Sequence, residues 1–179
     1  MHLISFAPTW FMQGLLHPLQ TPSHILLILG LGFLLGQQHK ILGASLLIFS
    51  ATVIAGLFGN QLVNIKLNYE LILLSLALIV SLLVIAKLSL PKVLIIALVM
   101  ISGITLGFNS SPILIPGLGP TSIYNWRFGA ATSFIGIVML ITFIAYFLSK
   151  WWNGIVLRVL GSWIATSTIF VITFLLFKT

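Results

Sequence analysis

Acidic side chains are almost missing from this chain. Of its 179 residues one is acidic, Glu70, and none is cysteine. A single carboxylate cannot supply the paired acids of glycoside hydrolysis, and without aspartate the chain holds no Ser-His-Asp triad. Without cysteine there are no disulfides, thiolate metal sites or thiol nucleophiles, and the redox compartment is not readable. Charge of either sign is thin, at 5% of residues, and the formal net charge of +7 comes from eight Lys and Arg. These stand singly at positions 40, 66, 87, 92, 127, 150, 158 and 178. They form no stripe that could follow a phosphate backbone, so nucleic acid is excluded as a partner. With so few acids, bases and nucleophiles, the chain does not read as an enzyme.

What the chain has instead is apolar length. It is 60% hydrophobic, its mean hydropathy is +1.24, and runs long enough to cross a bilayer recur throughout. The expected fold is all-α: an integral membrane bundle of about six transmembrane helices with a short bent N-terminal lead-in, forming one transmembrane domain over 1–179 whose first partner is the lipid bilayer. The spans are expected at about 22–36, 41–59, 70–88, 91–108, 128–149 and 154–177. The first residues, MHLISFAPTWF, lack the charged start and longer apolar core of a secretory signal. Either no signal is used or the first span directs insertion.

Residues 1–21 read as a lead-in rather than a span. Pro18 and Pro22 lack a backbone donor and bias His17 and Thr21 away from the helical region, so the chain is expected to be bent or extended up to about Ser23. In one straight helix His17 and His24 would lie about 10 Å apart, too far to share an ion, and a break removes that objection. Residues 37–40 should form a polar turn. The segment 109–127, with three prolines and two glycines, is expected to be the one substantial loop. Pairs at helix-packing spacing, Gly32 with Gly36, Gly103 with Gly107, and Gly129 with Ser133 and Gly136, should let backbones approach closely. Ser102, Thr105, Thr132, Thr142, Ser162 and Thr166 to Thr168 are expected to be interhelical or back-bonding hydroxyls. Tyr124 with Trp126, and Trp151 with Trp152, suit aromatic belts at the headgroups.

Six spans divide the cations into Lys40, Lys87, Lys92, Lys150 and Arg158 on one side and Lys66, Arg127 and Lys178 on the other. The positive-inside rule then puts both termini on the non-cytoplasmic side. Whatever the orientation, the lead-in with His17 and His24, the head of the third span with Glu70 and the tail of the fourth span share one side. His17 and His24 can bind nickel, cobalt, copper or zinc as neutral imidazoles, or can be interfacial histidines bonded to loop carbonyls. Glu70 can complete a metal site, act as a protonatable group, or pair with Lys66 four residues earlier.

The run His17-Pro18-Leu19-Gln20-Thr21-Pro22-Ser23-His24-Ile25-Leu26 resembles the HPLxGxDHLL opening of HupE/UreJ proteins, small membrane proteins linked to hydrogenase and urease systems and regarded as nickel or cobalt permeases. Tyr69-Glu70-Leu71 through Ser75 looks like that family's VE-x4-S pattern, and Arg158-Val159-Leu160-Gly161-Ser162-Trp163-Ile164-Ala165 is similar to its final span. Two departures stand out. Ser23 replaces the acidic residue before the second histidine. The family's FHGxxHGxE signature aligns with 101–109, where Gly103 and Gly107 are kept while Ser102, Leu106 and Asn109 replace two histidines and a glutamate. The resemblance implies one shared metal site, reduced here to His17, His24 and Glu70, for a transition-metal ion (nickel, cobalt or copper). The expected function is a transition-metal permease with a partly lost metal site. The alternative is a non-transporting subunit or assembly factor whose spans pack against partner subunits of a larger membrane complex.

Overall fold

The structure, a computed structural model, describes residues 9–38, 41–59, 68–110 and 119–177, and the side chains of Trp151 and Trp152 lie outside that description. The described residues form seven α-helices: α1 Trp10–Gln20, α2 Pro22–Gln37, α3 Leu42–Gly59, α4 Tyr69–Ala86, α5 Lys92–Asn109, α6 Pro120–Lys150 and α7 Ile155–Phe177, the last two joined by a 3-10 turn at Trp151–Gly154. Helices α3 to α7 are each long and apolar enough to cross a membrane, and α1 with α2 makes a further candidate span bent by 75°. This is an integral, multi-pass, all-helical membrane protein. Eighteen residues of helix rise about 27 Å, close to the thickness of the hydrocarbon layer.

The lead-in is a helix, which corrects the expectation of extended chain to Ser23. Thr9 starts it, its hydroxyl accepting from the Met12 amide at 3.4 Å, and the helix runs through His17 and Pro18. A proline two residues from a helix end costs little more than one bond to Gly14. The break falls at Thr21 alone, which is extended at φ −111°, ψ 110°, as the residue before a proline prefers. Pro22 then opens α2 at a position where no donor is needed. Thr21 also ties the joint by donating its hydroxyl to the His17 carbonyl at 3.5 Å.

Helix α2 is apolar all round and is buried from Ser23 to Gly36 on nearly every side, the arrangement expected of a central helix. Its glycines set the spacing of its neighbours. A Cβ at Gly32 would overlap Ile141 of α6, one at Gly36 would overlap Ala145, and one at Gly30 would touch Val80 of α4 at 3.4 Å. Residue numbers rise together along α2, α4 and α6, so these three run parallel. Helices α3 and α5 also run parallel, with Gly56 facing Gly107 and Thr52 facing Gly103. Helix α7 is antiparallel to α4, with Gly161 against Val84 and Arg158 donating to the Ile85 carbonyl at 2.9 Å. Gly136 meets nothing within 4 Å, so it is no part of the packing stripe expected of it. Thr105, Thr132, Ser162, Thr166 and Thr168 bond back to carbonyls three or four residues earlier, while the buried Ser102 and Thr142 hydroxyls have no partner among the described residues.

The α3–α5 contact gives a direct stability prediction. A Cβ at Gly107 would stand 2.6 Å from both the Gly56 Cα and the Leu57 nitrogen, and backbone cannot swing aside. Gly107→Ala is expected to cost about 1–3 kcal/mol, whereas Gly43→Ala, with nothing within 4 Å, should leave stability unchanged. Thermal unfolding of the purified protein in mild detergent, followed by circular dichroism, checks both.

The expected loop over 109–127 is also corrected. Its middle, 111–118, lies outside the described residues, but from Pro120 onward it is the first two turns of α6. Pro120 starts this helix rather than breaking chain, and the Ser122 amide closes on the Gly119 carbonyl at 3.0 Å. At 31 residues, α6 rises about 46 Å and outreaches the hydrocarbon layer, and the excess turns receive α1. His39 and Lys40 of the expected polar turn, Lys66 with most of the 60–68 loop, and Lys178 lie outside the described residues.

Candidate metal site at the elbow

The site begins with two glycines on different helices. A Cβ at Gly14 of α1 would overlap the Trp126 carbonyl, and one at Gly129 of α6 would overlap the Phe11 carbonyl and reach the Leu15 nitrogen at 3.0 Å. The two backbones therefore touch where α1 crosses α6, and this contact sets α1 at its angle to α2. The elbow brings His17, from one arm, against His24, from the other. Their ring centroids are 5.2 Å apart and the planes meet at 71°, about half the separation a straight helix would impose.

Apolar rings wall the pair. Trp126 lies 4.9 Å from the His17 ring and Phe134 lies 5.5 Å from the His24 ring. Trp126 is buried and packed into the bundle. Its expected place in a headgroup belt is therefore corrected: docking of α1 covers it. Tyr124, two residues earlier, is half-exposed. Arg127, also buried, sends its guanidinium 5.4 Å over the face of Phe58 at the end of α3, where the ring's negative face offsets the charge.

The tail of α5 completes the inner edge. His24 is fully buried, and its Nε2 lies 3.1 Å from the Asn109 side-chain amide. The other His24 nitrogen, Nδ1, and Nε2 of His17 are both buried without a hydrogen-bond partner among the described residues. Buried polar atoms are ordinarily satisfied, so two orphaned imidazole nitrogens in adjoining rings are an arrangement open to a ligand. The Ser23 and Ser102 hydroxyls are buried and unpartnered in the same sense.

Glu70 stands apart from this pair. It is half-buried in the first turn of α4, where a carboxylate suits the positive end of the helix dipole. Its neighbour Tyr69 stacks on Phe108 at 5.9 Å with planes 8° apart, which holds the head of α4 beside the tail of α5. The three elements expected to share one end do share it, yet among the described residues no group of three His, Cys, Asp or Glu is placed to hold a metal ion. The histidines come together and Glu70 is not a third member of their group. Asn109, Trp126 and Arg127 are the residues that sequence reasoning names without assigning to the site. For Asn109 the signal was present, since it occupies the last position of the segment aligned above.

Against this geometry the sequence profile of the HupE/UreJ proteins matches residues 2–171. The chain belongs to the HupE/UreJ family. Members are multi-pass membrane transporters rather than enzymes, and the family is linked to nickel and cobalt uptake. No curated protein sequence and no solved structure matches the chain. In HupE/UreJ terms, the two positions where serine stands for an aspartate and a histidine are buried with unsatisfied hydroxyls, and the position where Asn109 stands for glutamate touches the second histidine. Of these positions only Asn109 is shown touching the histidine pair, and Leu106, at the other aligned histidine position, is buried in the apolar core.

Proposed function

We propose that this HupE/UreJ protein is a permease for a transition-metal cation, nickel or cobalt, which it captures between His17 and His24. The observation that carries the reading is the pair of facing imidazoles on the two arms of the elbow, each with a buried nitrogen lacking a partner among the described residues. Neutral imidazoles suit borderline cations such as nickel and cobalt. An Asn side chain can present either its N–H or its carbonyl oxygen. With the oxygen toward Nε2, that nitrogen holds the proton and the Nδ1 lone pair of His24 is free for the ion, the usual role of an outer partner to a ligating histidine. Glu70 assists from the head of α4, through charge that draws a cation to this end of the bundle. Two neutral ligands leave open positions, which a cargo that must leave again requires.

The same reading carries an orientation, on the balance of the cations. Lys87, Lys92, Lys150 and Arg158 lie at the end of the bundle away from the histidines, so the positive-inside rule makes that end cytoplasmic and the histidine end the outer mouth. Both termini then lie outside.

Uptake of nickel, cobalt and copper by proteoliposomes tests the proposal. The His17→Ala, His24→Ala double variant is expected to lose at least about tenfold in uptake rate. Equal accumulation by the double variant and the unaltered protein would rule the site out. Absence of uptake by both, with other subunits co-purifying in fixed ratio, would favour a structural role in a larger membrane complex.

A further inference from the structure

The end of the bundle opposite the histidines collects cations without an anion to balance them among the described residues. Lys87 caps α4 in the left-handed conformation at φ 50° and donates to the Asn153 carbonyl and side-chain oxygen at 2.8 and 2.6 Å. Lys150 donates to the Tyr146 hydroxyl at 2.8 Å and lies 4.2 Å from that ring's centroid. Arg158 donates to the Ile85 carbonyl. All of these partners are neutral. The chain's only acidic side chain, Glu70, is at the other end of α4, about 25 Å away along the helix. No acidic side chain of this sequence stands at this end to balance them.

Two neighbouring cavities at this end leave room for an external anion. The first, about 270 Å³, has a mixed wall at this end of the bundle: Lys87, Lys92, Gln37, Gln38 and Ser89 together with apolar Leu88, Leu90 and Ile95, and with Ile41, just ahead of α3, and Ser149 of α6. The second, about 600 Å³, is an apolar groove between Leu42 and Leu46 of α3 and Met139, Phe143 and Tyr146 of α6. Ile41 and Leu42 are consecutive in the chain, and Tyr146 and Ser149 are one turn apart on α6. The lysine-lined chamber and the apolar groove therefore border on neighbouring residues of the same two segments. Exposed Met139 and Phe143 open the groove towards lipid, and Lys150 lies over the ring of Tyr146, which lines the groove.

A chamber holding two lysines next to an apolar trough matches one class of molecule. We propose that the α3–α6 seam binds one acidic glycerophospholipid, with its phosphate against Lys87 and Lys92 and an acyl chain in the groove. A glycerol headgroup also answers the Gln37 Oε1 atom, a buried acceptor with no hydrogen-bond partner among the described residues, by supplying a hydroxyl donor. The assignment is to a lipid and not to free phosphate, because soluble phosphate leaves the apolar trough without a role. It stands independently of the metal proposal, since no residue is shared with the histidine end.

The test uses full-length protein exchanged into mild detergent with defined lipids, bound lipid being counted by native mass spectrometry. Dioleoylphosphatidylglycerol is expected to be retained at one per chain in preference to dioleoylphosphatidylcholine. Lys87→Gln with Lys92→Gln should weaken that preference about 30-fold, roughly fivefold for each lysine. Leu46→Trp, which fills the groove and keeps every charge, should displace the lipid as well. Should the double variant fail to fold, the exposed Lys92→Gln alone should lose about fivefold. Equal retention of both lipids, or phosphatidylglycerol retention untouched in the lysine and groove variants, would overturn the proposal. Displacement of the lipid by glycerol 3-phosphate at equal concentration would overturn the lipid assignment in favour of a soluble phosphate.

Discussion

Asn109→Glu combined with Ser23→Asp is expected to tighten nickel binding by about 10- to 100-fold, the range over which outer partners tune a metal site. The Asn109 amide already lies 3.1 Å from His24 Nε2. A carboxylate there accepts the Nε2 proton bond more strongly than an amide, fixes the tautomer with the Nδ1 lone pair free, and makes the imidazole a better donor to the ion. The Ser23→Asp change adds a second negative charge where a buried serine hydroxyl has no partner among the described residues. Two carboxylates at membrane depth are expensive when empty, so the variant should be less stable without metal and regain stability when nickel is added. Calorimetric titration of the purified protein measures the affinity, and thermal unfolding with and without nickel measures the coupling. The same double change in a His24→Ala background should bind no better than His24→Ala alone. A gain that survives loss of His24 would show that the carboxylates bind the ion elsewhere.

The second large effect is expected from Gly129→Leu, which touches no ligand. The side chain would be driven into the Phe11 carbonyl and the Leu15 nitrogen. Since the obstacle is helix backbone, α1 has to leave α6. The cost is about 1–3 kcal/mol or more, and the site loses His17 together with the cover over Trp126. Because the chain has no cysteine, Pro18→Cys provides a clean reporter at a buried position of α1. A water-soluble maleimide should label it slowly in an otherwise unaltered protein and rapidly beside Gly129→Leu. Gly136→Leu, placed where nothing lies within 4 Å, is the control and should label slowly. If Gly129→Leu keeps both slow labelling and full nickel binding, the glycine crossing is not what positions His17.

Much of this architecture was legible in the sequence because one physical signal dominates it. Runs of apolar residues must be helices in lipid, where every backbone polar group needs an internal partner. Counting them puts His17, His24, the head of α4 and the tail of α5 at one end, where the structure has them. The elbow was legible from Thr21-Pro22. What the sequence concealed depends on tertiary contact. Pro18 reads as a breaker, yet near a helix end it is tolerated. Pro120 reads as loop, yet at the first position of α6 it is a start signal. Trp126 is compatible with a headgroup belt or with an interior wall, and only the docking of α1 decides between them. Asn109 reads as a lost glutamate; its remaining role, holding the inner face of His24, appears only once α5 and α2 are side by side.

The single extended residue between α1 and α2 makes the spacing of the two imidazoles a readout of the joint. With the arms at 75° the rings adjoin, and with the arms in line they would stand about 10 Å apart. An ion gripped by both histidines and a straightened N-terminus thus exclude one another, so occupancy could be followed as an angle by a pair of spin labels, one on each arm.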